Sequence, residues 1–165
     1  MKFSNSTVQS RYDSPLGPMV LAALDGKLVG VWFDGQAHQP DTAHWPAVTG
    51  HPTLEQAKAQ LADYFAGRRT TFELPLDVSA GTAFQQAVWR ALLQIPRGAT
   101  QSYGALGAGI GNPAAVRAVG GAVGRNPLSI IVPCHRVIGA SGALTGYAGG
   151  LERKIFLLQL EGARV

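Results

Sequence analysis

A change of pattern at residues 77–81 constrains the fold of this chain more than any other feature. Before it, short apolar runs alternate with turn residues, and after it apolar residues recur at helical spacing behind capping residues. The first pattern indicates strands and the second indicates helices. We therefore predict an α+β protein with two domains. Residues 1–78 would form an antiparallel sheet plus a helix, and residues 82–165 a mostly helical domain.

Three short strands are predicted near the N-terminus. Each is a run of mainly apolar residues, and they span Val8–Tyr12, Met19–Leu24 and Leu28–Phe33. Asp25-Gly26, between the last two, is a strong hairpin signal. We expect an antiparallel meander.

A helix and a further strand complete the first half. Thr53 and Gln56 have the spacing of a capping box, which predicts a helix that ends at Phe65. Thr70–Leu76 is predicted to be a strand. Nothing in residues 1–81 suggests chemistry.

The distribution of charge changes at the same point as the pattern of apolar residues. The net charge is +4: residues 1–81 carry six Lys/Arg and eight Asp/Glu, or −2, and residues 82–165 carry eight and two, or +6. A basic C-terminal half is expected of a protein that binds a polyanion. Seven of its eight cations are arginine, whose planar guanidinium suits phosphate. A basic protein without such a partner is the alternative.

Composition excludes several classes of protein. An apolar fraction of 46% with 15% charged residues indicates a globular chain. The N-terminus lacks the apolar core of a signal peptide, and no apolar run approaches the ~20 residues that span a bilayer. The single cysteine excludes an internal disulfide and a multi-cysteine metal cage. His38, His44 and His51 lack partners at ligand spacing. We expect a cytoplasmic protein with no cofactor, no metal and no membrane partner.

Two consecutive helices in the second half predict a helix-turn-helix. Ser102 can cap the first helix, Tyr103–Ile110. Asn112 and Pro113 are the expected N-cap and first position of the second helix, Ala114–Val123.

The second of these helices is made almost entirely of small and apolar residues. Its one charged side chain is Arg117. Such a surface cannot read base edges, but it allows close backbone approach to a narrow groove. An ordinary buried helix packed through small residues is the alternative.

Two further helices flank the helix-turn-helix. Thr82 and Gln85 form a capping box for the earlier one. Leu151–Gly162 is apolar almost all round, which predicts a buried helix. Glu161 lies at its C-terminal end, where the helix dipole disfavours an anion. This carboxylate therefore needs a partner, unless the helix end is frayed and solvated.

Cys134 follows an apolar run, Ser129–Val132, that predicts a buried strand ended by Pro133. His135 and Arg136 come next. A free thiol titrates near ~8.5, and a neighbouring base or positive charge increases its thiolate fraction. The pattern favours a nucleophile, with a small buried apolar residue as the alternative.

Several separated motifs from Thr82 to Gly162 resemble the O6-alkylguanine-DNA alkyltransferase family. They are Pro-Cys-His-Arg-Val at 133–137 with Ile138-Gly139, the loop Gly142–Gly150, Arg117–Gly120, and Asn126-Pro127. Residues 1–81 match only loosely. The resemblance implies an RNase H-like first domain and a winged-helix-like second domain.

The resemblance also implies a catalytic set. Cys134 would accept the alkyl group irreversibly, His135 would take the thiol proton through a bound water, and Glu161 would orient His135. Asn126 would tie the helix-turn-helix to this site.

Further residues are assigned by the resemblance to the base pocket and to DNA. Tyr103 would donate to the leaving base, and the other pocket residues are Pro133, Val137, Tyr147 and Ala148. Some relatives have serine at position 148, so one hydrogen-bond donor to the base is either absent here or replaced by the backbone. Arg117 would replace a flipped nucleotide in the base stack, and the other DNA-binding residues are Ser102, Ala115, Gly120 and Arg125.

The implied partner is double-stranded DNA that carries O6-alkylguanine and is bound through its minor groove. O4-alkylthymine is a further candidate lesion. The protein would act as a monomer, and cooperative binding to DNA is left open. The alternatives are a lesion-binding module without transfer, disfavoured by Cys134, a cysteine hydrolase, disfavoured because Cys134 and His135 are adjacent, and a helix-turn-helix regulator.

Overall fold

The computed structural model describes all 165 residues and is α+β, as predicted. In chain order the elements are β1 Val8–Ser14, β2 Gly17–Leu24, β3 Lys27–Phe33, α1 Pro52–Phe65, α2 Ala83–Leu92, β4 Gln101–Ser102, α3 Tyr103–Gly109, α4 Val116–Gly124, a 3₁₀ turn Cys134–Arg136, β5 Val137–Ile138 and α5 Leu151–Leu160. None of these helices combines the length and the apolar character that a membrane span requires.

β1, β2 and β3 form the predicted antiparallel meander. Asp25 and Gly26 have φ angles of 51° and 76°, as a two-residue type I′ turn requires. Successive side chains of β2 point to opposite faces of the sheet. Leu21 joins the main core, whereas Val20 packs in a smaller cluster with Trp32.

The start of α1 shows that the predicted capping box was wrong. His51 is the N-cap, with Nδ1 accepting from the Leu54 amide at 3.4 Å, and Pro52 is the first helical residue. Thr53 donates its hydroxyl to the Gly26 carbonyl at 2.6 Å instead. Proline is favoured at the first helical position, so the helix begins before Thr53. The Thr53 hydroxyl is then free to bind the turn between β2 and β3 at Gly26.

Residues 70–76 do not form the predicted strand. Only Leu76 bridges β3, at Leu28. The Gln60 side chain accepts from the Glu73 amide at 2.9 Å and donates to the Glu73 carbonyl at 3.0 Å. A side chain of α1 thus makes the hydrogen bonds that a strand partner would have made.

The capping predictions for α2 and α3 are confirmed. Thr82 Oγ1 accepts from the Gln85 amide at 3.1 Å, and the Gln85 side chain accepts from the Thr82 amide at 3.0 Å. Ser102 Oγ accepts from the Ala105 amide at 3.0 Å.

α4 begins later than predicted, at Val116, and has no side-chain cap. Asn112 and Pro113 precede the helix, in a turn where the Ala115 amide donates to the Asn112 carbonyl at 3.2 Å. Asn112, the predicted N-cap, thus takes part in a separate turn. The connection between α3 and α4 is therefore longer than expected.

α5 is less completely buried than its composition predicts. Leu151 and Phe156 are exposed, whereas Lys154 is fully buried. A small parallel sheet of β4 and β5 was not predicted, because two-residue strands leave no periodicity to detect.

The segment before Cys134 is buried, as predicted, but it is not a strand. The Val31 amide of β3 donates to the Pro127 carbonyl at 2.8 Å, and the Ser129 amide donates back to Val31 at 2.9 Å. The chain then turns, with Ile130 in the left-handed region at a φ of 73°. The open edge of β3 therefore anchors a turn that leads directly to Cys134.

Asn126 holds this turn from inside. Its Oδ1 accepts from the Leu128 amide at 3.0 Å, and its Nδ2 donates to the carbonyls of Val132 at 2.8 Å and Leu128 at 3.4 Å. These bonds replace a strand ladder, which is why the apolar run did not form a strand.

The two halves of the chain share one hydrophobic core. Its 25 buried residues include Leu61 of α1, Val119 of α4 and Leu157 of α5. The position of Cys134 therefore depends on packing across both halves.

We predict that Asn126→Ala destabilises the protein by about 2–3 kcal/mol, because it leaves the buried Leu128 amide without its acceptor and removes one of the two donors to the Val132 carbonyl, the other being the Cys134 amide. Urea unfolding measures the change. Asn112→Ala is the matched control, since Asn112 is exposed, and should change the free energy of unfolding by less than about 0.5 kcal/mol. Equal effects of the two substitutions would contradict the role given to Asn126.

Candidate active site

Cys134 begins the 3₁₀ turn and is buried, with only 4% of its surface exposed. It lines a cavity of about 240 Å³ between α4, the N-terminal half and the loop after β5. The lining residues are Ala37, His38, Tyr103, Gly120, Val123, Gly124, Cys134, Gly146, Tyr147 and Ala148. The single thiol of the chain thus lies in the wall of this cavity.

The structure brings together three of the five predicted pocket residues. Tyr103, Tyr147 and Ala148 line the cavity, whereas Pro133 and Val137 do not. Val137 is fully buried. Pro133 lines a separate cavity of about 440 Å³ on another side of the 3₁₀ turn. A sequence motif places residues near one another, but the turn at Cys134 directs neighbouring side chains to different sides.

Glu161 forms the centre of a buried hydrogen-bond cluster next to Cys134. His135 Nε2 lies 2.8 Å from Glu161 Oε2. Arg136 donates to both carboxylate oxygens, from Nε at 2.8 Å and from Nη2 at 2.9 Å. The Tyr64 hydroxyl donates to Oε2 at 2.7 Å. The expected contact of His135 with Glu161 is present, and sequence reasoning missed the other two donors.

The donors determine the charge of this cluster. Burial alone would raise the pKa of Glu161, but the hydrogen bonds from His135, Arg136 and Tyr64 outweigh it and hold that pKa well below its usual value. Burial lowers the pKa of His135, against the opposing effect of Glu161. His135 is therefore a neutral imidazole at pH 7, oriented by an ionised carboxylate.

The thiol itself is not activated by its surroundings alone. Burial raises the pKa of Cys134 to about 11, while a hydrogen bond from Asn126 and the charge of Lys154 act in the opposite direction. At pH 7 only on the order of 10⁻⁴ of such a thiol is ionised. A base is needed to remove its proton. The buried Nδ1 of His135 has no protein hydrogen-bond partner and is free for that purpose.

Two sides of α4 have different surroundings. The exposed side carries Arg117 and Ala118, and Ala114, just before the helix, is also exposed. On the other side Val119 is buried and Gly120 lines the cavity. The remaining predicted DNA-binding residues are the half-buried Ala115 and Ser102, which precede α4 and α3, and the exposed Arg125 at the end of α4. No acidic residue lies in α4. One helix thus connects an exposed basic surface to the cavity with the thiol.

Two domain families match almost the whole chain. The 6-O-methylguanine DNA methyltransferase ribonuclease-like domain matches residues 8–78, and the 6-O-methylguanine DNA methyltransferase DNA binding domain matches residues 83–163. The chain belongs to the 6-O-methylguanine DNA methyltransferase family.

Relatives of this methyltransferase family align over nearly their full length. A methylated-DNA–protein-cysteine methyltransferase of Mycobacterium bovis is 52% identical over 92% of this chain and 90% of its own length. The constitutive enzyme of that name from Bacillus subtilis is 47% identical over 90% of this chain and 92% of its own. The crystal structure of Mycobacterium tuberculosis OGT in complex with DNA superposes with a TM-score of 0.87 at 50% identity, covering 93% of this chain and 92% of that one. The predicted fold class is confirmed.

The N-terminal half contributes to the cavity of this methyltransferase-family chain. Ala37 and His38 line it, and the Ala37 amide donates at 3.0 Å to the carbonyl of Ala148. Ala148 lies in the loop Gly142–Gly150, which we call the pocket loop. Residues 1–81, in which the sequence suggested no chemistry, thus supply part of the wall of this cavity. Ala37 and His38 lie in a loop without periodicity or motif, so no sequence signal pointed to them.

Lys154 of α5 holds the pocket loop in place. Its ammonium is buried and donates to the carbonyls of Val137 at 2.6 Å, Thr145 at 3.0 Å and Gly146 at 3.2 Å. Burial lowers its pKa, and Cys134 acts in the opposite direction. Sequence reasoning missed Lys154. The signal was a lysine within a helix otherwise rich in leucine.

No group of three or more His, Cys, Asp or Glu side chains is placed to hold a metal ion.

We predict that Lys154→Met slows alkylation of Cys134 by iodoacetamide about threefold to tenfold at pH 8. Methionine keeps the length of the side chain but removes the charge that lowers the thiol pKa, so the thiolate fraction falls. Mass spectrometry follows the alkylation. Lys27→Met, on an exposed position of β3, should react like the unsubstituted protein. A folded Lys154→Met protein with an unchanged rate would contradict this prediction.

Proposed function

We propose that this protein repairs DNA by transferring the alkyl group of O6-alkylguanine irreversibly to Cys134. The observation that carries the proposal is the position of the only thiol, at a cavity bounded by α4 and next to the buried pair of His135 and Glu161. The family and the DNA complex of the M. tuberculosis relative support the same conclusion.

Deprotonation of the thiol would be the first step. Glu161 holds Nε2 of His135, so Nδ1 is the nitrogen that can accept a proton. We assign to a bridging water the transfer of the Cys134 proton to Nδ1. The ionised Glu161 then stabilises the imidazolium that forms.

Alkyl transfer would follow by in-line displacement. A bond forms between Sγ of Cys134 and the alkyl carbon, and the bond from that carbon to O6 breaks with its electron pair going to the purine. The purine takes up a proton in place of the one that the thiol lost, so the net reaction exchanges the alkyl group for the thiol proton. Burial raises the pKa of Tyr103, so its hydroxyl stays protonated and can donate to the leaving base.

Access to the base would require flipping, since O6 of guanine lies inside the duplex. α4 is suited to the minor groove, because its alanines and glycines allow the backbone to approach the DNA closely. Arg117, exposed on the same helix, would occupy the place of the flipped nucleotide. Ser102, Ala115, Gly120 and Arg125 would contact the DNA around it.

The thioether product explains why each molecule would act once. Water does not hydrolyse a thioether, and the chain has no second cysteine to accept the group. Catalysis in the usual sense is absent, and the reaction is stoichiometric.

The finer expectations stay predictions. We propose two domains, residues 1–78 and 82–165, a monomer that acts in the cytoplasm, and O4-alkylthymine as a further substrate. Asn126 would position Cys134 through the turn that it holds. Tyr147 and Ala148 would contact the flipped base, as would Pro133 and Val137 if DNA binding rearranges the 3₁₀ turn.

We predict that incubation with a duplex carrying one O6-methylguanine adds the mass of one methyl group to the Cys134 peptide, saturating at one per molecule. Intact-protein and peptide mass spectrometry measure it. Cys134→Ala should bind the same duplex and gain no mass. A wild-type protein that binds the lesion and stays unmodified would favour a binding module. A protein that processes many substrate molecules without lasting modification of Cys134 would favour a hydrolase.

We predict that Arg117→Ala slows repair of O6-methylguanine in duplex DNA at least tenfold, while its reaction with free O6-benzylguanine changes less than twofold. The free base needs no flipping, so only the duplex reaction should depend on the arginine. Single-turnover rates measure both reactions. Arg68→Ala removes a surface arginine that pairs with Asp63 and should affect neither. Equal losses on both substrates would contradict the flipping role.

A further inference from the structure

Tyr64 makes a side-chain hydrogen bond from the N-terminal half to Glu161, beside the candidate active site. It lies in α1, 97 residues before Glu161 in sequence, and its hydroxyl donates to Glu161 Oε2 at 2.7 Å. Both side chains are buried, Tyr64 completely and Glu161 to all but 6%. Among the described contacts of the His135–Glu161–Arg136 cluster, this one alone comes from a side chain of residues 1–81.

The hydroxyl of Tyr64 and the imidazole of His135 share one oxygen atom. Glu161 Oε2 accepts from Tyr64, from His135 Nε2 and from Arg136 Nη2, whereas Oε1 accepts from Arg136 Nε. Each donor reduces the basicity of a carboxylate. A less basic carboxylate stabilises the imidazolium form of His135 less strongly. Glu161 raises the pKa of His135, and the hydrogen bond from Tyr64 therefore makes that increase smaller.

The phenol of Tyr64 is held in a fixed orientation. Its ring packs against Phe65 and Phe72, with centroids 5.5 and 5.4 Å away. The guanidinium of Arg97 lies 5.7 Å from the ring centroid and also donates to the Leu160 carbonyl at 2.9 Å. Such packing lets the hydroxyl restrain the plane of the carboxylate.

We propose that Tyr64 is a positioning residue for alkyl transfer, through which the N-terminal half sets the orientation of Glu161 and the basicity of His135. This inference rests on the proposed function, in which His135 takes the thiol proton. It assigns the first half of the chain a role in the reaction, in addition to its part in the shared core.

The charged and titratable groups around His135 come from several elements. Glu161 ends α5, Lys154 lies within α5, and Arg136 follows in the 3₁₀ turn. Tyr64 comes from α1, and burial together with Glu161 raises its pKa far above its usual value. Tyr64 thus stays a donor throughout the working pH range, so it changes the titration of His135 without titrating itself.

The test is the pH dependence of single-turnover transfer from free O6-benzylguanine, which removes DNA binding from the measurement. The rate should fall on the acid side as His135 becomes protonated. In Tyr64→Phe this acid limb should move to higher pH, by roughly half a unit to one unit. Tyr12→Phe removes a hydroxyl from the sheet strand β1, outside the cluster, and should leave the limb unchanged.

A second substitution keeps the ring and the hydrogen bond. Replacing Tyr64 by 3,5-difluorotyrosine makes the hydroxyl a stronger donor, so the acid limb should move to lower pH. In a Glu161→Gln background neither change at position 64 should move the limb, because the shared carboxylate is absent. Urea unfolding of each variant separates lost stability from a changed titration.

The outcomes distinguish this inference from the proposed function. No transfer to Cys134 by the unsubstituted protein would overturn the proposed function itself. Normal transfer, with a limb that does not move in Tyr64→Phe or moves equally in Tyr12→Phe, would overturn only the role of Tyr64. A uniform loss of rate at every pH, in proportion to lost stability, would show a purely structural tyrosine and would also overturn it.

Discussion

The buried carboxylate of Glu161 is the interaction on which the arrangement of the site depends. It accepts hydrogen bonds from α1 and from two consecutive residues of the 3₁₀ turn, so it joins both halves of the chain. Arg136 also donates to the Ile95 carbonyl at 2.6 Å, which links the cluster to the segment that follows α2. Removing one partner of a buried ion pair leaves an uncompensated charge and typically costs about 3–5 kcal/mol. The same contacts that hold the halves together therefore fix the orientation of His135.

The surroundings of Cys134 favour the thiol over the thiolate. Burial outweighs the effects of Asn126 and Lys154, so the resting nucleophile is neutral. Oxidation and alkylation by small reagents require thiolate character and access, and both are restricted here. A protein that can use its nucleophile only once benefits from this restriction. His135, the base of the proposed mechanism, is kept neutral by burial and is oriented by the carboxylate of Glu161.

The cavity belongs to both halves of the chain. α4 and the pocket loop supply most of its wall, Ala37 and His38 complete it, and Lys154 holds the loop from behind. Hydrogen bonds to main-chain carbonyls fix the loop without requiring any particular side chain in it. A glycine-rich loop can therefore keep a defined surface toward the cavity despite its own conformational freedom.

Sequence patterns determined the parts of this protein that depend on local physics. The hairpin at Asp25-Gly26 and the capping box at Thr82 formed as predicted, because turn and cap residues satisfy nearby backbone groups. Local patterns failed where a distant group competed for the same hydrogen bonds. The side chain of Asn126 turned a predicted strand into a turn before Cys134. Only the tertiary structure brought Tyr64 to the carboxylate, since a contact between residues 97 positions apart depends on how the helices pack and leaves no periodic trace in the sequence.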